Sequence, residues 1–226
     1  FVKEFIEERD LTLFIVFDVS SSNEFGFKRS KKEVGYDIAA SLMFAALRNN
    51  DRVGLCLFTS EVELFIPPGK GKKHTLKLLR ELIYYEPKNK TTDIRTALSY
   101  LNNVIKKRSI VFIISDFLAP DFERPLNQLK NRHDVILVSI TDMRETQIPD
   151  IGYAFFEDQE TGEQMLVDTS DPEFRERYAA LVKAKRDAFF ARMKRIGVDI
   201  IQINTSEPFY IPLQRFFKMR ERRVMR

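Results

Sequence analysis

Five short apolar segments constrain this chain more than any other feature: "TLFIVF" (12–17), "VGLCLF" (53–58), "IVFII" (110–114), "VILVSI" (135–140) and "VDIIQI" (198–203). Most run through Val, Ile, Leu and Phe almost without interruption, the pattern of strands covered on both faces. Helical patterns stand between them. "KKEVGYDIAASLMFAALRNN" puts Val34, Ile38, Leu42, Ala45 and Ala46 on one stripe and ends at Asn49-Asn50-Asp51. "TLKLLRELIYY", "TDIRTALSYLNNVIKK" and a long, very basic segment from about Pro172 to Arg195, stopped by Gly197, keep the same 3.6-residue period. Strands alternating with helices predict βαβ units and a mostly parallel sheet with helices on both sides. Only "TSE" separates "VGLCLF" from "VELFI". That link is too short for a crossover, so these two strands are expected as an antiparallel pair at the sheet edge. "YAFFEDQETGEQMLVDT" (153–169) reads as a β-hairpin inserted before the long helix.

With 226 residues, 44% of them hydrophobic and 31% charged, the chain can fill a core without disulfides or structural zinc. One domain over residues 1–226 is expected, with its core at about 8–205, the hairpin insertion at about 153–169 and a basic tail at about 206–226. The single cysteine, Cys56 inside "VGLCLF", reads as a buried inert thiol in a reducing compartment. No apolar run approaches the ~20 residues of a spanning helix. The chain starts at Phe1, as a fragment or processed product would. The expected setting is the cytoplasm, at the inner face of the membrane if an upstream segment anchors it. A net charge of +4, from 37 basic and 33 acidic residues, is too mild to indicate a nucleic-acid partner. The tail "KMRERRVMR" reads as a solvated helix end rather than a phosphate or lipid-headgroup patch.

The chemistry gathers at the ends of strands. In "FDVSSS", Asp18, Ser20 and Ser22 alternate directly after the first core strand, and their side chains can project into the crevice above its carboxyl end, where open α/β sheets bind ligands. "KTTDIRTAL" opens a helix with Thr91 and Thr92, and "IVFIISDF" ends another buried strand in Ser115-Asp116. Each piece has a local explanation: turns for the serines, an N-cap role for Thr92, and a cap by Asp116 on the helix around 121–130. Taken together, three oxygen-only loops with no Lys or Arg inside the motifs suit a hard divalent cation, which takes oxygen ligands and keeps some waters. Three neutral hydroxyls and two carboxylates leave such an ion seeking one more anionic oxygen.

DxSxS in "DVSSS", the distant threonine of "TTDI" and the aspartate of "IISDF" resemble the metal-ion-dependent adhesion site of von Willebrand factor A domains. "EERDLTLFIVFDVSSS", "NDRVGLCLF", "RSIVFIISDFL", "NRHDVILVSITD" and "DQETGEQMLVDTSD" resemble, more narrowly, the bacterial domain-of-unknown-function family 58, over about Glu7 to Arg220. The resemblance implies a three-layer α/β/α Rossmann-like fold with strand order 3-2-1-4-5-6. It also implies magnesium or manganese held by Asp18, Ser20, Ser22, Thr92 and Asp116, and a partner protein that supplies a Glu or Asp to complete the shell. Family members are often encoded beside MoxR-type AAA+ ATPases, which makes such an ATPase the implied partner. Two departures stand out: Asn23 replaces a frequent Met, and "NKTTDI" lacks a glycine pair before the motif threonine. Thr92, directly before Asp93-Ile94, matches better than Thr91.

The expected function is therefore non-catalytic, metal-dependent protein binding. The main rival is a magnesium-dependent phosphotransferase of the haloacid dehalogenase kind. It needs a second acid where Ser20 stands, and a later lysine with paired acids where "SDF" offers one. A serine hydrolase lacks GxSxG, and His74 and His133 read as surface or capping residues. "GKGKKHT" lacks phosphate-loop spacing, and no Gly-rich turn follows the first strand to cradle a nucleotide.

Overall fold

The computed structural model describes residues 11–20, 30–119, 121–157 and 162–224. Its strands are β1 (Thr12–Asp18), β2 (Arg52–Phe58), β3 (Val62–Gly69), β4 (Ile110–Ser115), β5 (Asp134–Thr141), β6 (Tyr153–Glu157), β7 (Gln164–Asp168) and β8 (Asp199–Asn204). β6 and β7 pair with each other as a separate antiparallel ribbon, the expected insertion. The other six form one sheet in the order β3-β2-β1-β4-β5-β8. β3 runs antiparallel to β2, and every other neighbouring pair is parallel. With β8 as the sixth strand of the sheet, this is the expected order and the three-layer α/β/α fold of the von Willebrand factor A kind.

Both faces of the sheet are covered, as the uninterrupted apolar runs require. Along β1, Leu13, Ile15 and Phe17 pack into one core, and Phe14 and Val16 into the other. The first core is closed by α1 (Lys31–Arg48), α2 (Lys72–Tyr84) and α7 (Tyr210–Val224), through residues such as Ile38, Leu78 and Phe216. The second is closed by α3 (Ile94–Val104), α4 (Glu123–Arg132) and α6 (Pro172–Ile196), through Leu98, Leu126 and Met193. A single turn, α5 (Met143–Thr146), follows β5. Among the described residues no helix is long and apolar enough to cross a membrane.

One glycine sets the approach of α1. A Cβ at Gly35 would lie 2.7 Å from the Phe17 ring, so only glycine lets the helix come this close to β1. Lys31 sits one turn earlier on the same face and is carried over the carboxyl end of the sheet. The start of α1 is set by a capping box: Glu33 N donates to Ser30 Oγ at 3.1 Å, and Ser30 N donates to Glu33 Oε2 at 2.9 Å.

The tail differs from a solvated helix end at Arg220. Its guanidinium is forked between Asp134 (2.6 and 2.7 Å) and Asp199 (2.6 and 2.9 Å), tying α7 to the starts of β5 and β8. His133 is buried at the C-cap of α4 rather than at the surface, and His74 is bound through Nε2 to Val53 O at 2.8 Å.

Candidate functional site

The chain departs from β1 in opposite directions: through α1 to β2 on one side, and through β3, α2 and α3 to β4 on the other. The loops after β1 and β4 therefore open a crevice at the carboxyl edge of the sheet, the usual place for a ligand in such folds. Asp18 closes β1 there and is fully buried. Its Oδ1 accepts from Ser20 N at 3.0 Å and from Ser20 Oγ at 2.6 Å, while its Oδ2 accepts from Ser115 Oγ at 2.7 Å across the β1–β4 pair. Ser20 is likewise fully buried. Ser22 lies outside the described residues.

Asp116 follows β4 and is also buried. It does not cap α4, whose N-cap is Phe122 without a side-chain bond. The loop after it is strained: Phe117 adopts φ 57°, unusual for a bulky side chain, and is held by stacking on Phe189 at 5.6 Å between ring centroids.

The third loop docks on the end of β2, where Asp93 N donates to Thr59 O at 3.0 Å. Asp93, not Thr92, caps α3, accepting from Arg95 N at 2.9 Å. The Thr92 hydroxyl is thus released from the role that local sequence suggested. Thr92 Oγ1 is buried and has no hydrogen-bond partner among the described residues, whereas Thr91 is exposed. A buried hydroxyl without a partner costs about 1–3 kcal/mol, so such groups in folded proteins call for a ligand, water or ion.

Sequence reasoning missed Lys31. It comes from outside the motifs, is 1% exposed, and places its ammonium 2.8 Å from Asp116 Oδ2 and 2.5 Å from Glu145 Oε1 on α5. Glu145 also closes the α5 capping box by accepting from Asp142 N at 3.2 Å. One local signal pointed to this lysine: it stands at the first position of α1, where the helix dipole disfavours a cation unless an anion faces it.

The electrostatics follow from burial. Desolvation, with a further push from Asp116, raises the Asp18 carboxyl from 3.8 to about 6, against the opposing hydrogen bonds of Ser20 and Ser115. For Lys31, burial alone would pull the ammonium down, but Asp116 and Glu145 outweigh it and the net shift is upward. Among the described residues no group of three or more His, Cys, Asp or Glu could hold a metal. A cation here would therefore depend on hydroxyls. The donor set suits a hard ion at Asp18, Ser20 and Thr92. At Asp116, one carboxylate oxygen is already committed to Lys31.

Residues 1–188 match the family described as "Protein of unknown function DUF58". An uncharacterized protein of Mycobacterium tuberculosis is 26% identical over 225 residues, covering 98% of this chain and 71% of that protein. One from Mycobacterium avium is 30% identical over 160 residues, covering 70% of this chain and 94% of that protein. Among solved structures, a conserved hypothetical protein BatB from Bacteroides thetaiotaomicron superposes with a TM-score of 0.59 at 14% identity, covering 93% of this chain and 99% of that one. An aerotolerance-related membrane protein from Bacteroides fragilis, carrying multiple mutations to serine, gives 0.60 at 14% identity, covering 90% and 96%. At these identities the structural likeness is one of fold. By its sequence match and its strand order, the chain belongs to the DUF58 family and carries a von Willebrand factor A-like fold.

Proposed function

We propose that this chain is a non-catalytic protein-interaction domain whose carboxyl-edge crevice takes up magnesium or manganese through Asp18, Ser20, Ser22 and Thr92, with Asp116 contributing from the outer side. When bound, the ion would supply a Lewis-acidic centre that draws a Glu or Asp of a partner protein. The observation that carries this reading is the buried Thr92 Oγ1, without a partner among the described residues, in the loop docked on β2, next to the strand that ends in Asp18. The buried carboxyl of Asp18, raised by desolvation and by the neighbouring Asp116, supports it too, because a cation beside it would offset both causes.

Lys31 gives Asp116 a different part from Asp18. Its ammonium neutralises one Asp116 oxygen, and the other accepts weakly from Leu118 N at 3.3 Å. Asp116 is then suited to accept a hydrogen bond from an ion-bound water rather than to ligate directly. Lys31 and Glu145 hold that acceptor still.

The domain is read as cytoplasmic, with a MoxR-type AAA+ ATPase as the partner to try first. The test is a magnesium titration by calorimetry on the chain and on Thr92→Val and Asp18→Asn. It is followed by binding of the purified ATPase with magnesium and with chelator. Equal heats in all three proteins, or ATPase binding indifferent to chelator, would overturn the reading. Magnesium-dependent release of phosphate from an aryl phosphate, lost in Asp18→Asn, would favour the phosphotransferase instead.

A further inference from the structure

The β6–β7 ribbon and the middle of α6 are exposed in ways the adhesion-site reading does not use. Tyr153, Phe155 and Leu166 share the outward face of the ribbon and are 75%, 72% and 55% exposed. The ribbon is not loose at its base: Thr169 N donates to Gly152 O at 2.8 Å, Thr169 Oγ1 to the same carbonyl at 2.6 Å, and Arg175 Nη1 to Thr169 O at 2.5 Å. A two-stranded sheet with a bare apolar face is marginal on its own and gains from being covered.

α6 offers the matching surface. From Ala179 to Ala188 none of its residues is buried, and Ala180, Leu181, Ala184 and Ala188 form an exposed strip of small and apolar side chains along one face. Lys183, Lys185 and Arg186 on this stretch form no ion pair with the described residues. The α6 segment holds eight Lys and Arg against three acids, whereas residues 153–168 hold five acids and no Lys or Arg. The dimensions also match. Ten helical residues span roughly 15 Å, and a five-residue strand roughly 17 Å.

We infer that the occupant of the ribbon is a second copy of this chain: the acidic, aromatic β6–β7 ribbon of one protomer lies on the basic, small-residue middle of α6 in the other. Ribbon and helix adjoin in the chain, so a two-fold axis makes the exchange reciprocal. The exchange doubles the area buried by one ribbon-on-helix contact, toward the ~1,200 Å² at the low end of stable interfaces. An anionic membrane fits less well, because the ribbon that would insert carries acids only and would be repelled by the headgroups. The contact involves neither the metal ligands nor Lys31, so it stands or falls separately from the adhesion-site reading.

The test is sedimentation equilibrium with chelator present. The chain is expected to be a dimer that weakens at about 1 M salt, where the Debye length falls to about 3 Å. Glu157→Lys/Glu163→Lys on the ribbon and Lys183→Glu/Lys185→Glu on the helix should each be monomeric, and Phe155→Ser should weaken the dimer. All of these positions are exposed, and unchanged circular dichroism and melting would exclude misfolding. Mixing the two charge-reversed proteins should restore a dimer of one copy of each, since both exchanged contacts are then complementary again. A monomeric parent chain, a dimer indifferent to both reversals, or a mixture that stays monomeric would overturn the inference. So would Phe155-dependent binding to phosphatidylserine vesicles by a monomer.

Discussion

Asp18→Asn separates the crevice's own stability from its use. Asp18 is fully buried, and its folded carboxyl sits near 6 against 3.8 when unfolded. Between those values the native state binds more protons than the unfolded state, so stability falls as pH rises through this window and the loss is complete above about pH 7. Two pH units at about 1.4 kcal/mol each make the buried charge cost about 3 kcal/mol at pH 8, and almost nothing at pH 4. Asparagine removes that charge. Its amide can keep the bonds from Ser20 on the oxygen side, while its nitrogen faces Ser115, whose hydroxyl must turn from donor to acceptor. That reversal costs about 1 kcal/mol.

The expected net gain in chelator at pH 8 is about 2 kcal/mol, or roughly 4–8 °C in Tm for a chain of this length. At pH 4 the order should reverse, with the variant less stable by about 1 kcal/mol, because only the cost of turning Ser115 remains. With magnesium at about a hundred times its Kd the order should invert, because the parent gains about 2.7 kcal/mol and the variant nothing. Urea melts of both proteins at pH 4, 6 and 8, with chelator and with magnesium, provide the measurement. An Asn variant less stable than the parent at pH 8 in chelator, or a difference that does not change with pH, would refute the electrostatic account of Asp18.

Three further outcomes are expected. Lys31→Met leaves Asp116 without its buried partner and should cost roughly 3–5 kcal/mol in urea denaturation. Lys31→Met/Asp116→Asn should recover most of that loss, and a near-normal single variant would contradict the ion pair. Thr92→Val replaces a hydroxyl without a partner among the described residues with a methyl of the same shape, so in chelator it should be neutral or stabilising by about 1–2 kcal/mol while losing the magnesium response. A Thr92→Val protein that is destabilised in chelator would mean that the hydroxyl has a structural partner. Burial pushes the Cys56 thiol up to about 12, so the native chain should resist thiol reagents at pH 8 and react only on unfolding; rapid labelling of the native chain would contradict its burial.

The sheet was legible because its signal is local. Val, Ile, Leu and Phe in unbroken runs leave no polar face, and β1 buries Phe14 and Val16 on one side and Ile15 and Phe17 on the other. Asp18, Ser20 and Asp116 were legible for the same reason, since each follows such a run. The capping roles offered for Thr92 and Asp116 were local alternatives that tertiary structure declined: Asp93 starts α3 one residue later, and Phe122 starts α4. Arg220 in a run of exposed-looking basic residues gave no hint of its fork, because Asp134 and Asp199 lie far away in sequence.

Lys31 shows why the charge of the crevice could not be counted from motifs alone. Its partner Asp116 is 85 positions away, and the pairing requires Gly35 to bring α1 against Phe17. With Lys31 included, Asp18, Asp116 and Glu145 leave two negative charges when all are ionised. A divalent ion would bring that to neutrality, so a guest carboxylate would meet the ion without net repulsion from the crevice. Without Lys31 the same ion would leave the crevice with a net negative charge, which repels a guest carboxylate. Lys31→Met should therefore tighten magnesium binding while weakening capture of an acidic partner, a split in direction that loss of structure alone would not produce.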